Sequence, residues 1–168
     1  MRKQVIAPLA AGVLLALAGA AQAATKTASF TVNASVGKNC VISAGNINFL
    51  DPFVGDNDLT AAGDIEVRCT SGTAYSIALS AGSSNDFTAR EMVRGTDVLV
   101  YNLYTDNTYG AIWGDDSGTT DVVSDVGEGM ALANAIPHTV YAQLLAADNE
   151  GPVSAGAYSD TIVATITY

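Results

Sequence analysis

The chain has 168 residues, a formal net charge of −10, one histidine and two cysteines. So acidic a chain repels nucleic acid and anionic membrane surfaces, and a single histidine leaves little for an imidazole-based metal site or a hydrolytic triad. The length allows one domain with a sizeable core.

Arg2 and Lys3 open the chain, an apolar run follows from Val5 to Ala20, and Ala21-Gln22-Ala23 supplies small residues around a cut after Ala23. This is the layout of a cleaved secretory signal, residues 1–23, rather than a retained anchor. Removing 23 of 168 residues leaves 145, in which Lys26, Lys38, Arg68, Arg90 and Arg94 face seventeen acids, a net of −12. No second apolar stretch follows, so the exported chain is expected not to insert in a membrane.

Residues 27–36 alternate cleanly: Ala28, Phe30, Val32, Ala34 and Val36 on one face, Thr27, Ser29, Thr31, Asn33 and Ser35 on the other. Period two predicts a strand with one apolar face to bury. At 3.3 Å per residue it reaches about 33 Å. Two destinations are open, its own sheet or that of another subunit. Gly37-Lys38-Asn39 then breaks the pattern.

Further strands are predicted from Val41 to Phe49, through Ile65, Val67 and Cys69, and through Tyr75, Ile77 and Leu79, with 50–63 a long loop because it holds Asp51-Pro52, Gly55, Asp56-Asn57 and Gly63. Residues 98–105 are apolar enough for burial on both faces, 114–129 reads as a surface loop, and Val140, Ala142 and Leu144 mark a late strand. The last strand, 159–168, turns Ile162, Ala164, Ile166 and Tyr168 to one side and Thr161, Thr165 and Thr167 to the other. Seven or eight short strands with turns between them indicate an all-β sandwich or barrel, and a cysteine pair on two early strands favours the sandwich.

Cys40 and Cys69, an even pair 29 positions apart in an exported chain, read as one disulfide. Closing a loop of that size stabilises by about 3–4 kcal/mol. No catalytic, cofactor-binding or metal-binding residue is assigned. His138 follows Pro137 and no G-x-S-x-G elbow accompanies it. The acids Asp115-Asp116 and Asp56 with Asp58 sit in turn-rich segments without an aromatic platform. Asp56-Asn57-Asp58 lacks the glycine and closing glutamate of an EF-hand.

A strand near the beginning with an unassigned apolar face, and a last strand that alternates to Tyr168, together suggest an exchange. One subunit's 27–36 would fill a groove beside another's 159–168, the mode of β-strand addition, for which pilin complementation is a known example.

Several ordered pieces carry a resemblance. They are Cys69-Thr70-Ser71-Gly72 with Tyr75, Ile77, Leu79 and Gly82; Arg90-Glu91-Met92; Leu99-Val100-Tyr101-Asn102-Leu103-Tyr104-Thr105-Asp106; Trp113-Gly114-Asp115; and Gly156-Ala157-Tyr158-Ser159-Asp160-Thr161-Ile162. In this order the chain resembles the spore coat protein U domain, used by subunits of archaic, Csu-type chaperone–usher pili. The match departs at Phe49-Leu50-Asp51-Pro52-Phe53, where the family shows a D-F-G-x-Y-like segment.

The resemblance implies an incomplete immunoglobulin-like β-sandwich, residues 39–168, preceded by a donor strand and linker, 24–38. Ala28, Phe30, Val32, Ala34 and Val36 would be donor residues, and Ile162, Ala164, Ile166 and Tyr168 the groove strand. The implied partners are copies of the chain or related pilins, a periplasmic chaperone and an outer-membrane usher. The implied place is the cell surface after passage through the periplasm, in a pilus supporting adhesion and biofilm formation. One domain with a donor strand suits a stalk subunit better than a tip adhesin. The rival reading is a stand-alone secreted coat or carbohydrate-binding module that buries 27–36 in its own sheet and uses Trp113 and the tyrosines as a sugar platform.

Overall fold

The computed structural model describes residues 23–50 and 57–168. The signal-peptide reading of 1–23 and the 51–53 departure fall outside these, apart from Ala23. The chain divides into two units, Met1–Ser35 and Val36–Tyr168. In the first, residues 23–35 carry no regular secondary structure and every side chain is exposed.

The second unit holds ten strands among the described residues: β1 Cys40–Ala44, β2 Leu59–Cys69, β3 Ala74–Leu79, β4 Arg90–Arg94, β5 Asp97–Tyr104, β6 Ile112–Trp113, β7 Thr120–Asp121, β8 Val123–Val126, β9 Ile136–Leu144 and β10 Ala164–Thr167. They form two sheets. One runs β1-β2-β9-β5-β6-β7, with β4 also paired to β5; the other runs β10-β3-β8. Apart from the short parallel β6–β7 pair, the ladders are antiparallel.

Alternation builds the core. Ile65, Val67 and Cys69 of β2, Tyr75, Ile77 and Leu79 of β3, Leu99, Tyr101 and Leu103 of β5, and Val140, Ala142 and Leu144 of β9 are all buried. Their period of two matches the pleat, so one face of each strand enters the space between the sheets. The sequence reading of an all-β sandwich therefore holds.

Boundaries differ where turn-forming residues misled. Residues 59–63 belong to β2, because Leu59 to Gly63 pair with Leu144 to Val140 of β9. Gly63 marks a close approach rather than a turn, since a Cβ there would stand 2.7 Å from Cγ1 of Ile47. The strand predicted to Phe49 ends at Ala44, with one more rung from the Gly45 amide to Asp64 O at 2.9 Å. Ile47 and Phe49 then pack on the core from irregular chain. The 114–129 segment contains β7 and β8. The predicted strand over 159–168 keeps a ladder only at β10, although Ser159 forms a bridge with Val93.

Candidate interaction groove

Two registers orient the molecule. Cys40 lies opposite Cys69 and Ala44 opposite Ile65, while Ala164 lies opposite Leu79 and Thr167 opposite Ser76. The turn from Cys69 to Ala74 joins β2 to β3 at one pole, where the Gly129 amide also bonds Cys69 O at 2.9 Å. Hence β1 leaves that pole toward the other, and β10 returns toward it. Among the described residues each strand ends its sheet, and β1 and β10 approach each other, so the two edges flank the same side of the sandwich.

Backbone parity shows what those edges offer. The Thr70 amide bonds Asn39 O at 2.9 Å, so the odd residues of β1 bond inward to β2. The peptide groups of Ile42 and Ala44 point outward by alternation. The Ser80 amide bonds Val163 O at 2.9 Å, which turns the peptide groups of Ala164 and Ile166 away from β3. A row of outward donors and acceptors is a template for another strand.

Between these edges lies a cleft of about 450 Å³ lined by Ile47, Phe49, Ile65, Leu79, Met92, Leu103, Ile162 and Ala164, with Tyr158, Asp160 and Asp64 among its polar members. Ile162, Ala164 and Ile166 are half-buried and pack against the core; Tyr168 is 51 % exposed, so it does not share their environment.

Polar side chains hold one wall in place. Asp160 accepts from the Tyr101 hydroxyl at 2.8 Å, the Ser83 amide at 3.0 Å and the Thr161 amide at 2.8 Å. Burial, then the hydrogen bond to Asp160, pushes the Tyr101 phenol well above its ordinary range, so it stays a donor. Gly82, at φ +70°, leaves the space: a Cβ would meet the Asp160 carboxylate at 2.1 Å. This accounts for the Tyr158-Ser159-Asp160-Thr161 piece of the sequence as a clamp between the β3–β4 turn and the chain entering β10.

Beneath it sits Arg90, fully buried. Its guanidinium donates to Asn102 Oδ1 at 2.7 Å, Trp113 O at 2.7 Å and Ser80 O at 3.0 and 3.1 Å, and lies 5.5 Å from the Phe87 ring centre. Trp113, also fully buried, donates Nε1–H to Ile77 O at 2.9 Å. A tryptophan so enclosed offers no sugar platform. Burial of Arg90 could not be foreseen, because arginine is rarely enclosed and only tertiary packing brings Ser80 and Trp113 to it.

The remaining candidates are structural. Cys40 and Cys69 form the disulfide. His138 Nε2 lies 2.8 Å from the Tyr75 hydroxyl, joining the two sheets. Burial holds His138 below its ordinary pKa and pushes Tyr75 up to about 12. Asp115 accepts from the Ser117 hydroxyl and, at 3.1 Å, from its amide, a turn-closing role in which chiefly the hydroxyl bond lowers the carboxyl pKa. Asp58 accepts from the Ala146 amide at 2.9 Å; Asp56 lies outside the described residues. Among the described residues no group of three or more His, Cys, Asp or Glu could hold a metal ion, and no helix is long and apolar enough to cross a membrane.

Residues 23–39 form no ladder. Phe30, Val32 and Val36 are 88, 82 and 84 % exposed, and Ala28 and Ala34 are exposed as well.

Comparison with known proteins agrees with the architecture. The fold is similar to that of a chain in the crystal structure of the CsuC–CsuE chaperone–tip adhesion subunit pre-assembly complex from archaic chaperone–usher Csu pili of Acinetobacter baumannii. The TM-score is 0.56 at 21 % identity, over 79 % of this chain and 40 % of that one, so this chain spans about two fifths of that one's length. Protein U of Myxococcus xanthus is 34 % identical over 184 residues, covering 99 % of this chain and 98 % of the relative. Residues 26–165 match the Spore Coat Protein U domain, and the chain belongs to that family.

Proposed function

We propose that the protein is a structural subunit of a surface pilus, joined to its neighbours by donor-strand exchange. The observation that carries this is the pairing of two features. A cleft with apolar lining opens between two free sheet edges, and an alternating apolar segment of the same chain is exposed. Ala28, Phe30, Val32, Ala34 and Val36 of one subunit would supply side chains to the groove of the next, and backbone bonds to Ala164 and Ile166 would supply register and affinity. Residues 24–38 act as donor strand and linker, 39–168 as the acceptor sandwich.

A groove of this kind needs a temporary occupant before assembly, because an exposed edge over an open core invites aggregation. A periplasmic chaperone would serve, and an outer-membrane usher would exchange it for the next subunit. The comparison with a chaperone–subunit complex supports this route by fold alone. The disulfide suits passage through an oxidising compartment after removal of residues 1–23. The role is architectural rather than catalytic. Adhesion and biofilm formation would follow from the fibre.

Electrophoresis in SDS with and without boiling tests the reading. A ladder of multimers in the unboiled secreted protein, collapsing to one band on boiling, is expected. A single monomer band in both lanes overturns it.

A further inference from the structure

Charge is divided along this chain in a way the apolar pattern does not require. All seventeen acids lie between Asp51 and Asp160. Residues 24–38 contain Lys26 and Lys38 and no acid, a net of +2, whereas 39–168 contain three arginines against the seventeen acids, a net of −14. The three arginines are engaged within the sandwich. Arg90 is fully buried, Arg94 pairs with Asp97 at 3.4 Å, and Arg68 donates to Met130 O at 3.2 Å. Lys26 and Lys38 are exposed and bracket the apolar residues 28–36 on either side.

We infer that the groove selects residues 24–38 of a second copy by charge as well as by shape, with Lys26 and Lys38 steering the strand onto the acidic body. This rests on the donor-strand reading and adds to it the property by which the strand is chosen. An acid stands toward each pole of the sandwich. Asp64 lines the cleft near Ala44, and at the opposite pole Asp125 pairs with Tyr75, two strands across from β10. Two strands span about 10 Å, comparable with the screening length of about 8 Å at physiological ionic strength. A strand entering in either direction therefore brings one lysine toward the acid at each pole. A neutral or acidic apolar strand of the same shape gains no such attraction and is disfavoured. Steering of this kind raises association rates by about 10- to 1000-fold and fades with salt.

The test follows the initial rate of multimer formation by the purified exported chain, read on unboiled gels. Rates of wild type, Lys26→Glu/Lys38→Glu and Lys26→Gln/Lys38→Gln are compared at low and high sodium chloride. Both lysines are exposed, so circular dichroism of the variants should match wild type. The wild-type rate is expected to fall about tenfold or more from low to high salt. The Gln variant should be slower at low salt and nearly insensitive to salt, and the Glu variant slowest, speeding up as salt is added. Equal rates for all three chains at every salt concentration, with normal ladders, would overturn the charge inference and leave donor-strand exchange standing. No multimers from wild type at any salt would overturn both.

Discussion

The two sides of the sandwich make opposite use of the same strand chemistry. On the closed side β2, β9 and β5 are paired along both edges, and in the dry interior Arg90 donates to Asn102 Oδ1 and Trp113 O while the Trp113 indole donates to Ile77 O. On the open side β1 and β10 each end their sheet among the described residues, and the cleft between them is lined by Ile47, Phe49 and Ile162. The lesson is that stability and assembly are separable. One side supplies most of the folding free energy through burial, and the other, on the proposed function, takes its remaining contacts from a second chain.

Substitutions that act on one side alone can break this division. The largest effect is expected from Phe30→Asp, which should abolish multimers on unboiled gels. Its melting temperature as a monomer should stay close to wild type, because an exposed position contributes within about 0.5 kcal/mol. Multimers at wild-type abundance would contradict the division. Next, Arg90→Ala should destabilise by about 3–5 kcal/mol, since it opens a cavity and strands the carbonyls of Ser80 and Trp113, each costing about 1–3 kcal/mol. Chemical denaturation measures this, and a change below about 1 kcal/mol would mean that the closed side does not depend on the guanidinium. Cys40→Ser should cost about 3–4 kcal/mol through loss of loop closure, visible as a lower yield of folded secreted protein. Unchanged yield would make the disulfide dispensable.

The smallest effect concerns pH. His138 has a folded pKa below its ordinary 6.5 because burial disfavours the imidazolium. The unfolded chain therefore binds a proton more readily, and the stability from neutral His138 is fully present above 6.5 and declines as pH falls below it. His138→Gln should flatten the loss of melting temperature between pH 7 and pH 5. An unaltered slope would assign that loss to the carboxylates.

How far the sequence could be read follows the same division. Period-two alternation announced β2, β3, β9 and the face of Ile162, Ala164 and Ile166, because an amphipathic strand writes its buried face directly into the chain, while the apolar run read as buried on both faces became β5, in which Val98 stays 44 % exposed. It also announced 27–36, but alternation states only that a face needs burial, never against which molecule. Turn chemistry misplaced the start of β2, because Gly63 serves a close approach by Ile47 and not a turn. The short β7 and β8 were hidden in a stretch rich in Gly, Asp, Ser and Thr, where pairing partners rather than propensity make the strand. Arg90 and Asp160 were visible only as pieces of motifs. Their roles depend on Ser80, Trp113, Tyr101 and Gly82, which the fold alone brings together.

The most direct measurement is amide hydrogen exchange at Ala164 and Ile166, compared between monomer and secreted multimer. If a neighbour's strand completes the edge, both amides should be exposed to exchange in the monomer and become protected about 100-fold or more in the multimer, together with alternate amides across 27–36. Exchange at these positions that is unchanged by multimer formation would contradict strand exchange at the β10 edge.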